Sequence, residues 1–158
     1  MREYLLEDLL RPLYQQGYRG FFFDTLDSYQ LAATTDEQRE AQRRGLETLI
    51  QQVAQRFAGV RLVLNRGFEL LPEVHQYVDA VAAESLYQRW VPGEQRYQAV
   101  SESDRQWLLD RFREVRDNYH IPTIAIDYAP PQARAQARQL AHTIRAPAVT
   151  PCVRNPCP

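Results

Sequence analysis

Four short apolar runs, each closing on a polar side chain, constrain the fold of this 158-residue chain more than any other feature. They are Gly20-Phe-Phe-Phe-Asp24, Val60-Arg-Leu-Val-Leu-Asn65, Asp79-Ala-Val-Ala-Ala-Glu84 and Ile121-Pro-Thr-Ile-Ala-Ile-Asp127. Stretches with helical periodicity separate them. Strands that alternate with helices predict an α/β protein built on parallel strands. The run Phe21-Phe22-Phe23 is apolar on both faces, as a strand covered on both sides should be. In such folds functional groups gather at the carboxyl ends of the strands, where these three acids and one amide stand.

The helical stretches carry their own start and stop signals. Leu5, Leu6, Leu9, Leu10 and Leu13 fall on one face of a helix over 3–16, which Gly17 stops. Thr34-Thr35-Asp36-Glu37-Gln38 opens a helix with hydroxyl caps and acids in its first turn. Its buried stripe is Leu46, Leu49, Ile50, Val53 and Phe57, and Gly59 ends it. Pro72 opens a short helix through Tyr77. Ser101-Glu-Ser-Asp104 caps a long helix that buries Leu108, Phe112, Val115 and Tyr119, and a helix over 131–144 follows the fourth strand.

Residues 146–158 hold Pro147, Pro151, Pro156 and Pro158 together with both cysteines, Cys152 and Cys157. The strand–helix rhythm asks for a fifth strand here. Proline cannot donate to a ladder, so a central strand is disfavoured. The expectation is a domain over 1–145 and an irregular tail over 146–158. The two thiols have no histidine nearby and form no metal or disulfide signature. A closed eight-stranded α/β barrel takes about 250 residues. Four secure strands behind an opening helix therefore predict a partial TIM (β/α)8 barrel containing the later βα units only. The alternative is a complete small open sheet.

Composition narrows the chemistry. All 19 basic residues are Arg, against 20 acids, for a net charge of −1. A lysine base, a Schiff-base lysine and a phosphate-loop lysine are excluded outright. The balanced charge implies no nucleic-acid partner. No apolar run approaches membrane-spanning length. Acids interrupt the apolar stretch at the N-terminus, so it does not read as a signal peptide.

The stretch Gly17-Tyr-Arg-Gly-Phe-Phe-Phe-Asp24-Thr-Leu-Asp27-Ser-Tyr29 resembles the endo-α-1,4-polygalactosaminidase type of glycoside hydrolase. Three further segments agree in order: Asn65-Arg-Gly-Phe-Glu69-Leu-Leu, Ala82-Ala-Glu84-Ser-Leu-Tyr87 and Ile126-Asp127-Tyr128-Ala. The resemblance implies a TIM-barrel hydrolase that needs no cofactor and cuts an α-1,4-linked, partly deacetylated galactosamine-containing exopolysaccharide, with retention favoured. It also implies an extracytoplasmic site of action.

Glycoside hydrolysis normally uses two carboxyl groups, one donating a proton to the leaving oxygen and one attacking the anomeric carbon or activating water. Asp24 and Glu84 are the expected pair, and the resemblance points to the same positions. Asp24 reads as the nucleophile, with Thr25 and Ser28 as neighbouring donors. Glu84 reads as the general acid/base, because the preceding Ala-Val-Ala-Ala offers an apolar surround that favours the protonated form. The bland reading of Asp24 is a turn cap.

Asp27, Tyr29, Asn65, Glu69, Tyr87, Asp127 and Tyr128 are the expected substrate-binding set, with Asp127 read as a sugar-binding or a supporting acid rather than a catalytic one. Aromatic faces stack on sugar rings, and acids attract a cationic amino sugar. Trp90 follows a strand end in the same way. His75, His120 and His142 read as surface or capping residues. Two competing functions remain. Asp24, Glu84 and Asp127 are also the kind of set that holds Mg²⁺ in a barrel enzyme. A non-catalytic, polysaccharide-binding barrel fragment is the third reading. Open strand edges would favour self-association.

Overall fold

The computed structural model describes residues 2–154. The chain divides into two compact units, Met1–Asp79 and Ala80–Pro158.

The first unit opens with one helical run: α1 (Arg2–Tyr4), a π-helical stretch Leu5–Leu10, and α2 (Arg11–Gln15). It then builds β1 (Gly20–Phe23), the short α3 (Tyr29–Ala32), α4 (Asp36–Arg56) and β2 (Arg61–Asn65). A 3₁₀ turn Phe68–Leu70, α5 (Leu71–Val74) and a second 3₁₀ turn His75–Tyr77 complete it. β1 and β2 pair in parallel, Gly20 beside Arg61 through Phe23 beside Leu64. α4 starts where its sequence signal lies: the Thr35 side chain accepts from the Gln38 amide at 3.2 Å. Ile50, Val53 and Phe57 are buried, as are Leu62 and Leu64 of β2, and the Phe57 ring meets Phe21 of β1 edge to face at 6.2 Å.

Four expectations about buried faces need correction; two are brief, since Tyr119 is only half-buried and Phe22 is exposed, so β1 is not covered on both sides. Leu46 and Leu49 are only half-buried, because they line an open pocket. In the opening helix Leu6 and Leu10 are buried but Leu9 and Leu13 are exposed. Five leucines make a stripe wider than one contact face, and the π-helical stretch changes the angular spacing that a 3.6-residue period assumes.

The second unit contains β3 (Ala80–Glu84), the antiparallel pair β4 (Gln88–Val91) and β5 (Arg96–Ala99), α6 (Glu102–Tyr119), β6 (Thr123–Tyr128), α7 (Arg134–Arg145) and β7 (Thr150–Arg154). β3, β6 and β7 lie side by side and parallel. Ser101 caps α6 by accepting from the Asp104 amide at 3.1 Å, and Leu108, Phe112 and Val115 are its buried stripe. His120 ends it in the left-handed region, donating its backbone N–H to Arg116 O at 3.0 Å.

β7 overturns the expectation of an irregular tail for residues 150–154. Pro151 sits beside Ala125 and Cys152 beside Ile126 on the outer strand of the three. An outer strand tolerates proline because one of its edges needs no ladder partner. Cys157 lies outside the described residues. The α/β class is borne out by the parallel pairs and their intervening helices. Among the described residues no helix is long and apolar enough to cross a membrane.

Candidate active site

The residues expected at the site fall into two groups, one in each unit. In the first, Asp24 follows β1 directly and Asn65 ends β2, so the parallel register brings them side by side. Asn65 Nδ2 donates to Asp24 Oδ1 at 2.5 Å. Asn65 itself is buried, and its Oδ1 has no partner among the described residues. Asp24 stays exposed. Its donor is this amide 41 residues on, where local sequence pointed to Thr25 and Ser28.

Both strands turn away sharply after these residues. Thr25 has φ +54° and Arg66 φ +61°, left-handed values that side-chain-bearing residues rarely adopt. Gly67 follows at φ +67°. The Leu26 amide donates to Asn65 O at 3.3 Å, which ties the two turns together. Arg66 Nη1 donates to Asp27 Oδ2 at 3.3 Å. Asp27 is thus ion-paired, and its side chain does not cap α3.

Tyr29 Oη and Gln30 Nε2 both donate to Glu69 Oε1, at 3.0 and 2.9 Å. Burial, reinforced by the Glu69 charge, pushes the Tyr29 phenol up to about 12, so it remains a donor at neutral pH. Asp24, Thr25, Ser28 and Tyr29 open onto a pocket of about 950 Å³ whose far wall is Gln42, Leu46, Leu49 and Gln52 of α4. Its lining is mixed, with carboxylate, amide and hydroxyl groups beside leucines.

In the second unit Glu84 ends β3, half-buried, and faces Ile126 of β6. Tyr128 Oη donates a short hydrogen bond to Glu84 Oε2. Asp127, between them in sequence order on β6, is completely buried. It accepts from the amides of Leu86 at 2.7 Å, Tyr87 at 3.0 Å and Gln88 at 3.3 Å. Burial pushes its carboxyl up, and the Tyr87, Leu86 and Gln88 amides pull the other way. This corrects its expected place in the substrate-binding set: with no exposed surface and with loop amides on both oxygens, it does not present itself to a sugar.

The Tyr87 ring carries the Arg105 guanidinium at 5.5 Å, so one of its faces is taken. Trp90 and Tyr97 pack edge to face at 4.9 Å across the β4–β5 hairpin. That hairpin was not anticipated, although Pro92-Gly93 between two stretches of alternating residues is a legible turn signal. Among the histidines, His75 contacts Leu71 O at 3.1 Å and His120 caps α6, both structural duties. Among the described residues no group of three or more His, Cys, Asp or Glu is placed to hold a metal ion.

Known proteins account for these features. The family model of glycoside-hydrolase family GH114 matches residues 2–156. A solved structure of the glycoside hydrolase domain of PelA from Pseudomonas aeruginosa superposes with a TM-score of 0.89 at 41% identity, covering 98% of this chain and 60% of that one. A glutamate-to-alanine variant of the same domain agrees equally well, with a TM-score of 0.89 and 40% identity. The chain thus spans about 60% of the length of the solved chains it matches. No curated protein matches it. The family match runs through both groups of strand-end residues, and the chain belongs to glycoside-hydrolase family GH114.

Proposed function

We propose that this protein is a glycoside hydrolase cutting an α-1,4-linked, partly deacetylated galactosamine-containing exopolysaccharide by a retaining mechanism. Asp24 is the nucleophile and Glu84 the general acid/base. The observation that carries this reading is the family match, with a solved glycoside hydrolase domain at a TM-score of 0.89, running through both strand-end acids. The local chemistry supports the division of labour. Asp24 is exposed beside a pocket and takes a hydrogen bond from the Asn65 amide, as an anion that must attack carbon should. Glu84 follows three buried residues, Val81, Ala82 and Ala83, and has the Tyr128 hydroxyl on one oxygen.

Tyr29, Glu69, Asp27, Tyr87 and Tyr128 supply contacts for ring faces, hydroxyl groups and a protonated amine. Action on an exopolysaccharide puts the site of work outside the cytoplasm.

The test is reducing-end release from a partly deacetylated α-1,4-galactosamine polymer. The wild-type chain releases ends, and Glu84→Gln loses about 10²–10⁴-fold in rate. Asp24→Asn loses release to the background level. Incubation with a slow fluorosugar substrate leaves a covalent adduct on Asp24, read by peptide mass. An adduct on Glu84 reverses the roles, and release of the inverted anomer without any adduct replaces retention by inversion. Retention of polymer with no release in the wild type sinks the hydrolase reading.

A further inference from the structure

Asp127 is an anomaly for a hydrolase site. It stands at the end of a strand, where functional acids stand, yet it is completely buried. A buried carboxylate is costly unless its oxygens are well served. Here the service comes from three consecutive backbone amides, those of Leu86, Tyr87 and Gln88, at 2.7, 3.0 and 3.3 Å. Consecutive amides converge on one anion only where the backbone curls round it, which is the geometry of an anion-binding nest. The curled segment begins two residues after Glu84. It carries Leu86, itself fully buried, and leads into β4.

The two terminal residues of β6 act on this one place from opposite faces, because side chains alternate along a strand. Tyr128 reaches Glu84 Oε2 directly, and Asp127 holds the loop that Glu84 feeds into. The carboxylate is chemically suited to that duty. It is acceptor-only, and three donors face it. An asparagine of the same size would turn its NH₂ group towards at least one of those amides. A hydrophobic residue would leave all three without an acceptor.

We infer that Asp127 is a positioning residue: its buried carboxylate clamps the loop Ser85–Gln88 and thereby sets the aim of the Glu84 carboxyl. The inference rests on the reading of Glu84 as the acid/base. Asp127 touches no substrate and transfers no proton. Its effect on rate passes entirely through Glu84. A misplacement of about 1 Å in a reacting group costs about 10²-fold, and that is the loss expected when the clamp is released.

The experiment is a double-mutant cycle on the full chain, with backbone amide exchange as a second readout. Asp127→Asn is expected to lower kcat by about 10²-fold while KM moves less than threefold. Combined with Glu84→Gln it is expected to cost nothing further, because the group it positions is already gone. Leu86 and Tyr87 amides are expected to exchange slowly in the wild type, although they belong to no strand, because they are bonded to Asp127. They exchange at least tenfold faster in Asp127→Asn, while Ala125 on β6 is unchanged. Asp127→Glu keeps the charge but displaces it, so its kcat falls between the two, and it serves if the asparagine variant does not fold. Wild-type kcat in either Asp127 variant, an additive loss in the double variant, or fast exchange of the wild-type Leu86 amide overturns the inference. An inactive wild type instead overturns the hydrolase reading, and a fully active Glu84→Gln overturns the acid/base role of Glu84, so each failure is separable from that of the clamp.

Discussion

Gly67 and Asn65 illustrate how single atoms set up the first group of site residues. Gly67 has φ +67°, and a Cβ there would lie 3.1 Å from Leu26 Cβ and 3.2 Å from the Cδ1 atoms of Leu26 and Leu70. Leu26 and Leu70 are buried, so neither can swing aside. Gly67→Ala is expected to cost about 1–3 kcal/mol through overpacking and backbone strain, read as a lower midpoint in urea. Because Gly67 follows Asn65 and Arg66 in the same turn, the variant is also expected to slow hydrolysis. Asn65 acts more directly. Asn65→Ala removes the one side-chain donor on Asp24 among the described residues, and the expected result is about tenfold slower turnover. Its stability stays near the wild type's, because the unpartnered Oδ1 is lost along with the amide. Unchanged kcat in Asn65→Ala would show that Asp24 needs no such donor.

At the scale of elements, caps and ion pairs do separate work. The Ser101 hydroxyl satisfies the Asp104 amide at the start of α6. Ser101→Ala is expected to lower stability by about 1 kcal/mol, measured by chemical denaturation, with no change in catalysis. The opening helix is tied to α4 differently. Arg56 binds Glu3 and Glu7 at 2.7 Å each, and Arg11 pairs with Glu7. The Arg11 hydrogen bond, followed by that of Arg56, draws the Glu7 carboxyl down from 4.5 to about 2. A carboxyl held below its unfolded value lends stability above that value and loses it as pH falls through the folded one. The wild type should therefore lose stability between pH 4.5 and about 2 partly through Glu7. Glu7→Gln should show a shallower slope over the same range in denaturation titrations. A slope identical to the wild type's would mean that Arg11 and Arg56 leave Glu7 unperturbed.

At the scale of the whole molecule, one surface stands out. Among the described residues β1 pairs with β2 on one side only. Around its other edge lie Leu9, Leu13, Tyr18 and Phe22, exposed by 46, 38, 57 and 50%. With Leu5, Pro12 and Phe23 they line a groove of about 700 Å³. An apolar strand edge of this kind recruits another strand. Association that grows with protein concentration is expected in sedimentation, and Phe22→Arg is expected to reduce it. Identical sedimentation of the two proteins would show that this edge takes no part.

The α/β class, the family and the order of the main helices and strands are legible in the amino-acid sequence alone. Each rests on local information: apolar runs, hydroxyl caps, and glycines at turns. It also marked Asp24 and Glu84 as strand-end acids. What it left open depends on residues far apart in the chain. Asn65 lies 41 residues from Asp24, and the Asp127 carboxylate 41 from the Leu86 amide it holds. Such pairs form only when parallel register lays strand ends side by side, and no spacing along the chain encodes which end meets which. The same limit hid the strand at Thr150–Arg154 behind its proline, since whether an edge lies open is decided by neighbours. It also made Asp127 look like a sugar ligand. Burial is a property of the packed fold, and that burial turns a strand-end acid into a clamp on the loop beside the other.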